Sequence, residues 1–135
     1  MALQQSVTVR NARLNAIETA IGTDPILKIK TGSAPANCAA ADSGTVLATL
    51  VLPTDWLAAA ASGAISKSGT WSDASADATG TAAHFRIYAS DGTTCHMQGT
   101  VTATGGGGDM TLDSISVTAT QTVTITSFTI TAGNG

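Results

Sequence analysis

The sequence predicts a mainly β protein, an antiparallel β-sandwich of about seven strands with one N-terminal α-helix. The closing stretch SISVTATQTVTITSFTITAGNG alternates Thr or Ser with Ile, Val or Phe almost without a break. That period of two marks strands with one face buried and one wet. Apolar runs elsewhere recur at intervals of roughly a dozen residues, separated by turn formers, as in a sandwich. Only the opening segment switches to helical spacing.

In that segment Leu3, Val7, Leu14, Ile17 and Ile21 fall on one stripe at three- and four-residue intervals. The predicted helix covers residues 6–21, with Ser6 as N-cap and Gly22 where the helix end wants a left-handed residue. Pro25 forbids continuation. Arg10 interrupts the stripe, which favours packing on the body over a coiled coil. Residues 1–25 therefore form an arm and helix, and residues 26–135 the β-sandwich body of a single domain.

ILKIKTG reads as a short strand with Ile26, Lys28 and Lys30 on one face and Leu27 and Ile29 on the other. GSAPANCAAADSG is loop by its small residues and turn formers. TVLATLVLP, stopped by Pro53, is apolar enough to be a central strand. DWLAAAA suggests a short helix capped by Thr54 or Asp55, and AISKSGTW a strand. HFRIYASDGTTCHMQGTV is the clearest hairpin. A three-residue loop, Ser90-Asp91-Gly92 with Gly92 left-handed, pairs Ile87 with Cys95 and Phe85 with Met97. This register buries both apolar sets together. GGGG at 105–108 is a flexible turn. Val123 and Ile125 are odd-numbered whereas Phe128, Ile130 and Ala132 are even, so a bulge or bend is expected near Ser127.

Composition narrows the function. The chain has 135 residues, of which 11% are charged and 4% aromatic, and a formal net charge of −3. Soluble domains average about a quarter charged residues, so this surface is expected to be covered in an assembly. No Lys/Arg cluster offers a nucleic-acid patch. MALQQSVTVR lacks the apolar core of a secretory signal, and no apolar run reaches about 18 residues. Synthesis and solubility in a cytoplasm, without a membrane span, are the expectation. Cys38 and Cys95 lie far apart without CxxC spacing and are expected as two free thiols in a reducing compartment.

No catalytic constellation emerges. His84 and His96 are placed on the outer face of the hairpin beside Arg86, Tyr88, Thr94 and Gln98, with Cys95 on the opposite face. Two histidines on neighbouring strands begin a metal site, but no third ligand joins them by spacing. The aspartates never form a DxDxDG loop, no GxSxG elbow occurs, and the glycine run lacks the Lys of a phosphate loop. No catalytic, cofactor or metal residue is assigned, and no enzymatic activity is expected. The interface candidates are Leu3, Val7, Leu14, Trp56, Leu57, His84, Arg86, Tyr88 and His96.

NARLNAIETAIG, HFRIYASDGTTCHMQGTV and SFTITAGNG together resemble segments of small Ala/Thr/Gly-rich virion proteins of tailed bacteriophages. The resemblance covers most of the chain and rests on scaffold residues. It implies a late structural product, made in the host cytoplasm and carried on the virion. Capsid decoration, or cement, is the favoured role, with the major capsid protein and copies of this chain as partners, as a trimer or multi-copy layer on the capsid exterior. The alternative is a tail or host-binding component, contacting tail proteins or a host surface glycan through the outer face of the hairpin. A free-standing bacterial binding module is a third class.

Overall fold

A computed structural model describes residues 3–133. The helix α1 spans Val7–Ile21, capped by Ser6, whose side chain accepts from Val9 N, and ended by Gly22 at φ 93°. Leu14 and Ile21 are buried from its stripe, whereas Leu3 and Val7 stay exposed. The strands are β1 (Ile26–Lys30), β2 (Val46–Val51), β3 (Ala64–Ser66), β4 (Ser72–Asp73), β5 (Gly80–Thr81), β6 (His84–Tyr88), β7 (Cys95–Ala103), β8 (Met110–Leu112), β9 (Ser116–Val117) and β10 (Val123–Thr131).

The protein is mainly β with one N-terminal helix. Eight strands form a curled sheet in the order β2-β1-β6-β7-β8-β10-β3, with β4 also on β10, while β5 and β9 pair separately. The pairing is antiparallel except between β7 and β8, which run parallel. A parallel neighbour normally needs a crossover of a dozen or more residues. Here residues 104–109 suffice, because Gly105 and Gly107 take φ values of 86° and 81° and turn the chain back at once.

Five expectations are corrected. β2 is not central: it ends the sheet order, and its free edge is met by residues 73–77, where Asp73 Oδ2 accepts from Thr49 N (3.0 Å) and Asp77 N donates to Leu47 O (2.7 Å). DWLAAAA is not helical. Three N–H groups of residues 57–63 go to α1 instead, Leu57 N to Glu18, Ala60 N to Asn15 and Gly63 N to Asn11, while Ala58 N and Ala61 N go to the carbonyls of Ser66 and Ala64. The three acceptors on α1 repeat at helical spacing, so one polar stripe of α1 serves as a template for an irregular segment, overriding its alanine propensity.

The hairpin register is shifted by two. Ile87 pairs with Met97 and Phe85 with Gly99. The loop is one residue longer than expected, since Ala89 N donates to Thr94 O. A bulge then leaves His96 unpaired between Tyr88↔Cys95 and Ile87↔Met97. Phe85, Ile87, Met97 and Val101 still share the core face, because a two-residue shift preserves parity. The bulge does move Cys95 to the face of Tyr88, against the assignment of Cys95 to the opposite side. Cys38 reaches it there, and the two form a disulfide with Cα atoms 5.2 Å apart, so the thiols expected to be free are paired.

The bend expected near Ser127 is present as a register shift between Ile125 and Ser127. It lets β10 pass from β4 and β8 to β3 along its length. The core threads four aromatic rings: Trp56–Trp71 at 6.0 Å, Trp71–Phe128 at 5.6 Å and an edge-on Phe85–Phe128 at 5.7 Å between centroids. Gly99 makes room for Phe85, since a Cβ there would lie 2.7 Å from Phe85 Cε1 and 2.8 Å from Asp109 Oδ2.

Two glycine variants separate packing from backbone strain. Gly92→Val places a β-branched residue at φ 72°, where a Cβ would meet only Ile26 Cγ1 at an ordinary 3.9 Å, and is expected to lose about 1 kcal/mol or more from backbone strain. Gly99→Ala is expected to lose about 1–3 kcal/mol by overpacking against Phe85. Urea unfolding measures both, and equal stability of Gly99→Ala and the parent would refute the close approach.

Candidate functional site

The densest set of polar side chains lies on the face of β1, β6 and β7 turned away from the aromatic core. Lys28 and Lys30 come from β1, His84, Arg86 and Tyr88 from β6, and Gln98 from β7. Alternation alone would leave this face wet. Instead, residues 32–44 fold over it, and every residue of β6 is buried.

Arg86 anchors the covering loop. Its Nε donates to Gln98 Oε1 (3.0 Å), its Nη2 to the carbonyls of Asn37 (2.8 Å) and Ala40 (3.0 Å), and its Nη1 to Asp42 Oδ1. The same oxygen accepts from Tyr88 Oη (2.6 Å) and lies 3.2 Å from Lys30 Nζ. Gln98 Nε2 donates to Pro35 O (2.6 Å), and His84 Nδ1 to Gly32 O (2.7 Å). Lys28 Nζ sits 4.8 Å from the Tyr88 ring centroid, a cation–π contact. The disulfide closes the loop onto β7 at Cys95. A planar guanidinium with its donors spread over carbonyls and a carboxylate suits burial better than an ammonium would.

The cluster shifts its own titrations. Burial by itself would raise the Asp42 pKa, but hydrogen bonds from Tyr88, Arg86 and Lys30 outweigh it and hold the carboxyl at about 2. Burial, then the adjacent Asp42, pushes the Tyr88 phenol up to about 12. Asp91 in the hairpin loop is held at about 2 by the Thr94 hydroxyl and the N–H groups of Thr94 and Thr93.

These contacts correct the reading of the hairpin as a contact surface. His84, Arg86 and Tyr88 are 1%, 2% and 1% exposed, so they present nothing to a partner in this fold. Trp56, Leu57 and Leu14 are likewise core residues, with Trp56 Nε1 donating to Gly22 O (3.1 Å). Leu3 and Val7, and His96 at the bulge, remain on the surface. Of the candidates, the structure brings His84, Arg86 and Tyr88 into one polar cluster, and Leu14, Trp56 and Leu57 into the apolar core. The residue missed from sequence is Asp42, whose signal was weak: one acid in a small-residue loop more than 40 residues from its Arg86 partner. Among the described residues no three His, Cys, Asp or Glu side chains gather as a metal site, and no helix is long and apolar enough to cross a membrane. No family model, curated protein or solved structure matches the chain.

The cluster predicts a pH profile. Between pH 3.8, the ordinary value of Asp42, and about 2, the unfolded chain binds a proton that the folded one refuses. Its contribution is therefore present above that window and lost as pH falls through it. Tyr88 is the reverse: its contribution is complete below pH 10.0 and lost as pH rises towards about 12. Denaturant midpoints measured from pH 2 to 12 should fall at both ends, and Asp42→Ala should flatten the acid limb. That variant is expected to lose about 2 kcal/mol, a figure discounted because the carboxylate is half exposed. Reducing the disulfide, which links residues 57 positions apart, should lower stability by about 2–4 kcal/mol. Unfolding with and without reductant measures it, and identical midpoints would refute the role of the clasp.

Proposed function

We propose that this chain is a non-catalytic structural protein of a tailed-phage virion, one that attaches in many copies to the outside of the head shell as a decoration protein. One observation carries the reading. Leu3, Val7 and Val9 are three of the four exposed large hydrophobics among the described residues, and all sit on the N-terminal arm and first helical turns. A chain with only 11% charged residues and a clustered apolar N-terminus is suited to a covered position in an assembly. The resemblance of three of its segments to phage virion proteins supports the same assignment. In this reading the two faces of the curled sheet, packed over one core, serve as a sandwich-like body. Its partners are the major capsid protein and other copies of the chain, in closed symmetric contacts such as trimers.

The disulfide-closed loop suits a protein that works after the particle leaves the cell, where thiols stay oxidised. The tail or receptor-binding reading is less well supported, because the hairpin face it relied on is covered. Attachment would stabilise the shell by mass action: the protein binds the assembled lattice and not the dissociated one.

Deleting residues 1–5 should leave the β body folded and weaken attachment to particles, read by cosedimentation. Two of those residues, Met1 and Ala2, lie outside the described region. Particles lacking the protein are expected to release DNA at a lower temperature than decorated ones. Equal heat resistance, or a copy number of only a handful per particle, would overturn decoration and favour the tail.

A further inference from the structure

The curled sheet has a gap in its interior where one strand stops short. β8 lies between β7 and β10, yet on β7 it pairs only with Val101, Thr102 and Ala103. The chain enters β8 from the glycine return, so the lane before Met110 holds only Asp109. Beyond it the lane runs on between Met97–Gly99 of β7 and Thr129–Thr131 of β10 as an open cleft of about 360 Å³. Strands that flank a third stand about 10 Å apart, the width of one extended chain.

Both walls offer backbone groups. Val101 N donates to Ala83 O (3.0 Å), which sets the alternation on β7. Odd residues bond to β6, while Thr100 turns its backbone towards β8 and Gln98 turns its N–H and C=O into the open lane. The side chain of Asp109 caps Thr100 N (2.9 Å) and so closes the lane's inner end. On β10, Lys67 N donates to Phe128 O and Ala132 N to Gly63 O. Even residues therefore serve β3, Thr129 faces Asp109 at the start of β8, and Thr131 turns its backbone into the open lane. The floor is apolar, made by Phe85, Phe128 and the half-buried Met97 and Ile130. A site with polar walls and an apolar floor takes an extended segment with an apolar side chain pointing down, as in strand addition.

We infer that this lane receives the N-terminal arm of a second copy of the chain, with Leu3 seated on the apolar floor. The inference rests on the multi-copy reading above. Leu3 is 78% exposed, the highest value among the exposed large hydrophobics of the described residues. In its own copy the arm is steered to the helix, since Gln5 Oε1 accepts from Arg13 Nη1 (2.6 Å). Leu3, Gln5 and Arg13 border a surface hollow shared with Gly133, two residues past Thr131 at the outer end of the lane. Each copy thus presents an arm beside the mouth of its lane. Exchange of arms between copies satisfies both in a closed, symmetric assembly.

The test is a complementation by sedimentation over a range of concentrations. Leu3→Asp disables the arm and touches no core residue. Thr131→Pro removes a lane-facing N–H that β3 does not use. Wild type is expected to associate, each variant alone to stay monomeric at the same concentration, and a 1:1 mixture to regain association, because one competent arm meets one competent lane. Circular dichroism and melting confirm the folds, and Met97→Asp, which charges the floor of the lane, replaces Thr131→Pro if that variant does not fold. A monomeric wild type, variants that associate like wild type, or a mixture that stays monomeric would each overturn the exchange. Binding to phage shells is measured separately. Thr131→Pro that still decorates particles removes the lane and spares the decoration reading, whereas arm exchange without shell binding does the reverse.

Discussion

Burial of Arg86 is the constraint around which the rest of the structure is arranged. A guanidinium on an interior strand of a sheet is costly to desolvate unless its N–H groups find acceptors. Here the acceptors are Gln98 and a loop that would otherwise have no reason to lie flat: Asn37, Ala40 and Asp42 all reach it from residues 32–44. That demand turns an ordinary wet sheet face into a second covered layer. It places Cys38 over β7, and the His96 bulge rotates Cys95 to meet it. Charge, loop and disulfide form one unit in which each part gives the others their geometry.

On the opposite side, side chains of α1 do for the backbone what a neighbouring strand would normally do. Asn11, Asn15 and Glu18 accept from Gly63, Ala60 and Leu57, so residues 56–63 run beside the helix without a regular element of their own. The glycine return between β7 and β8 has a different consequence. A chain that doubles back within six residues can enter the next lane only part-way along it. The short β8, the parallel pairing and the open lane beside it are three results of one tight turn.

These features bear on the proposed role. The large aromatics and all but one of the polar residues once considered for contacts are spent on internal packing. Of the candidates among the described residues, Leu3 and Val7 on the arm and helix start and one histidine, His96, stay outside. Attachment through such elements relies on backbone pairing and one or two anchors rather than on a broad charged surface, in keeping with a chain so poor in charge.

Much was legible in the sequence wherever a local rule decides the outcome. The helix with its Ser6 and Gly22 caps, the alternation that buries Leu27, Ile29, Phe85 and Ile87, and the bulge near Ser127 follow from periodicity and capping chemistry, which act over a few residues. What only the tertiary structure decided involves partners far apart in the chain. Alternation shows that Arg86 and Tyr88 share a face, but not that Asp42 and its loop fold over it. Parity tells which residues line the core but is blind to a two-residue slip, so both hairpin registers bury the same side chains. The alanines of DWLAAAA favour a helix until α1 claims the N–H groups of Leu57 and Ala60 and residues 64–66 those of Ala58 and Ala61, and two distant cysteines carry no sign that Arg86 will bring one above the other.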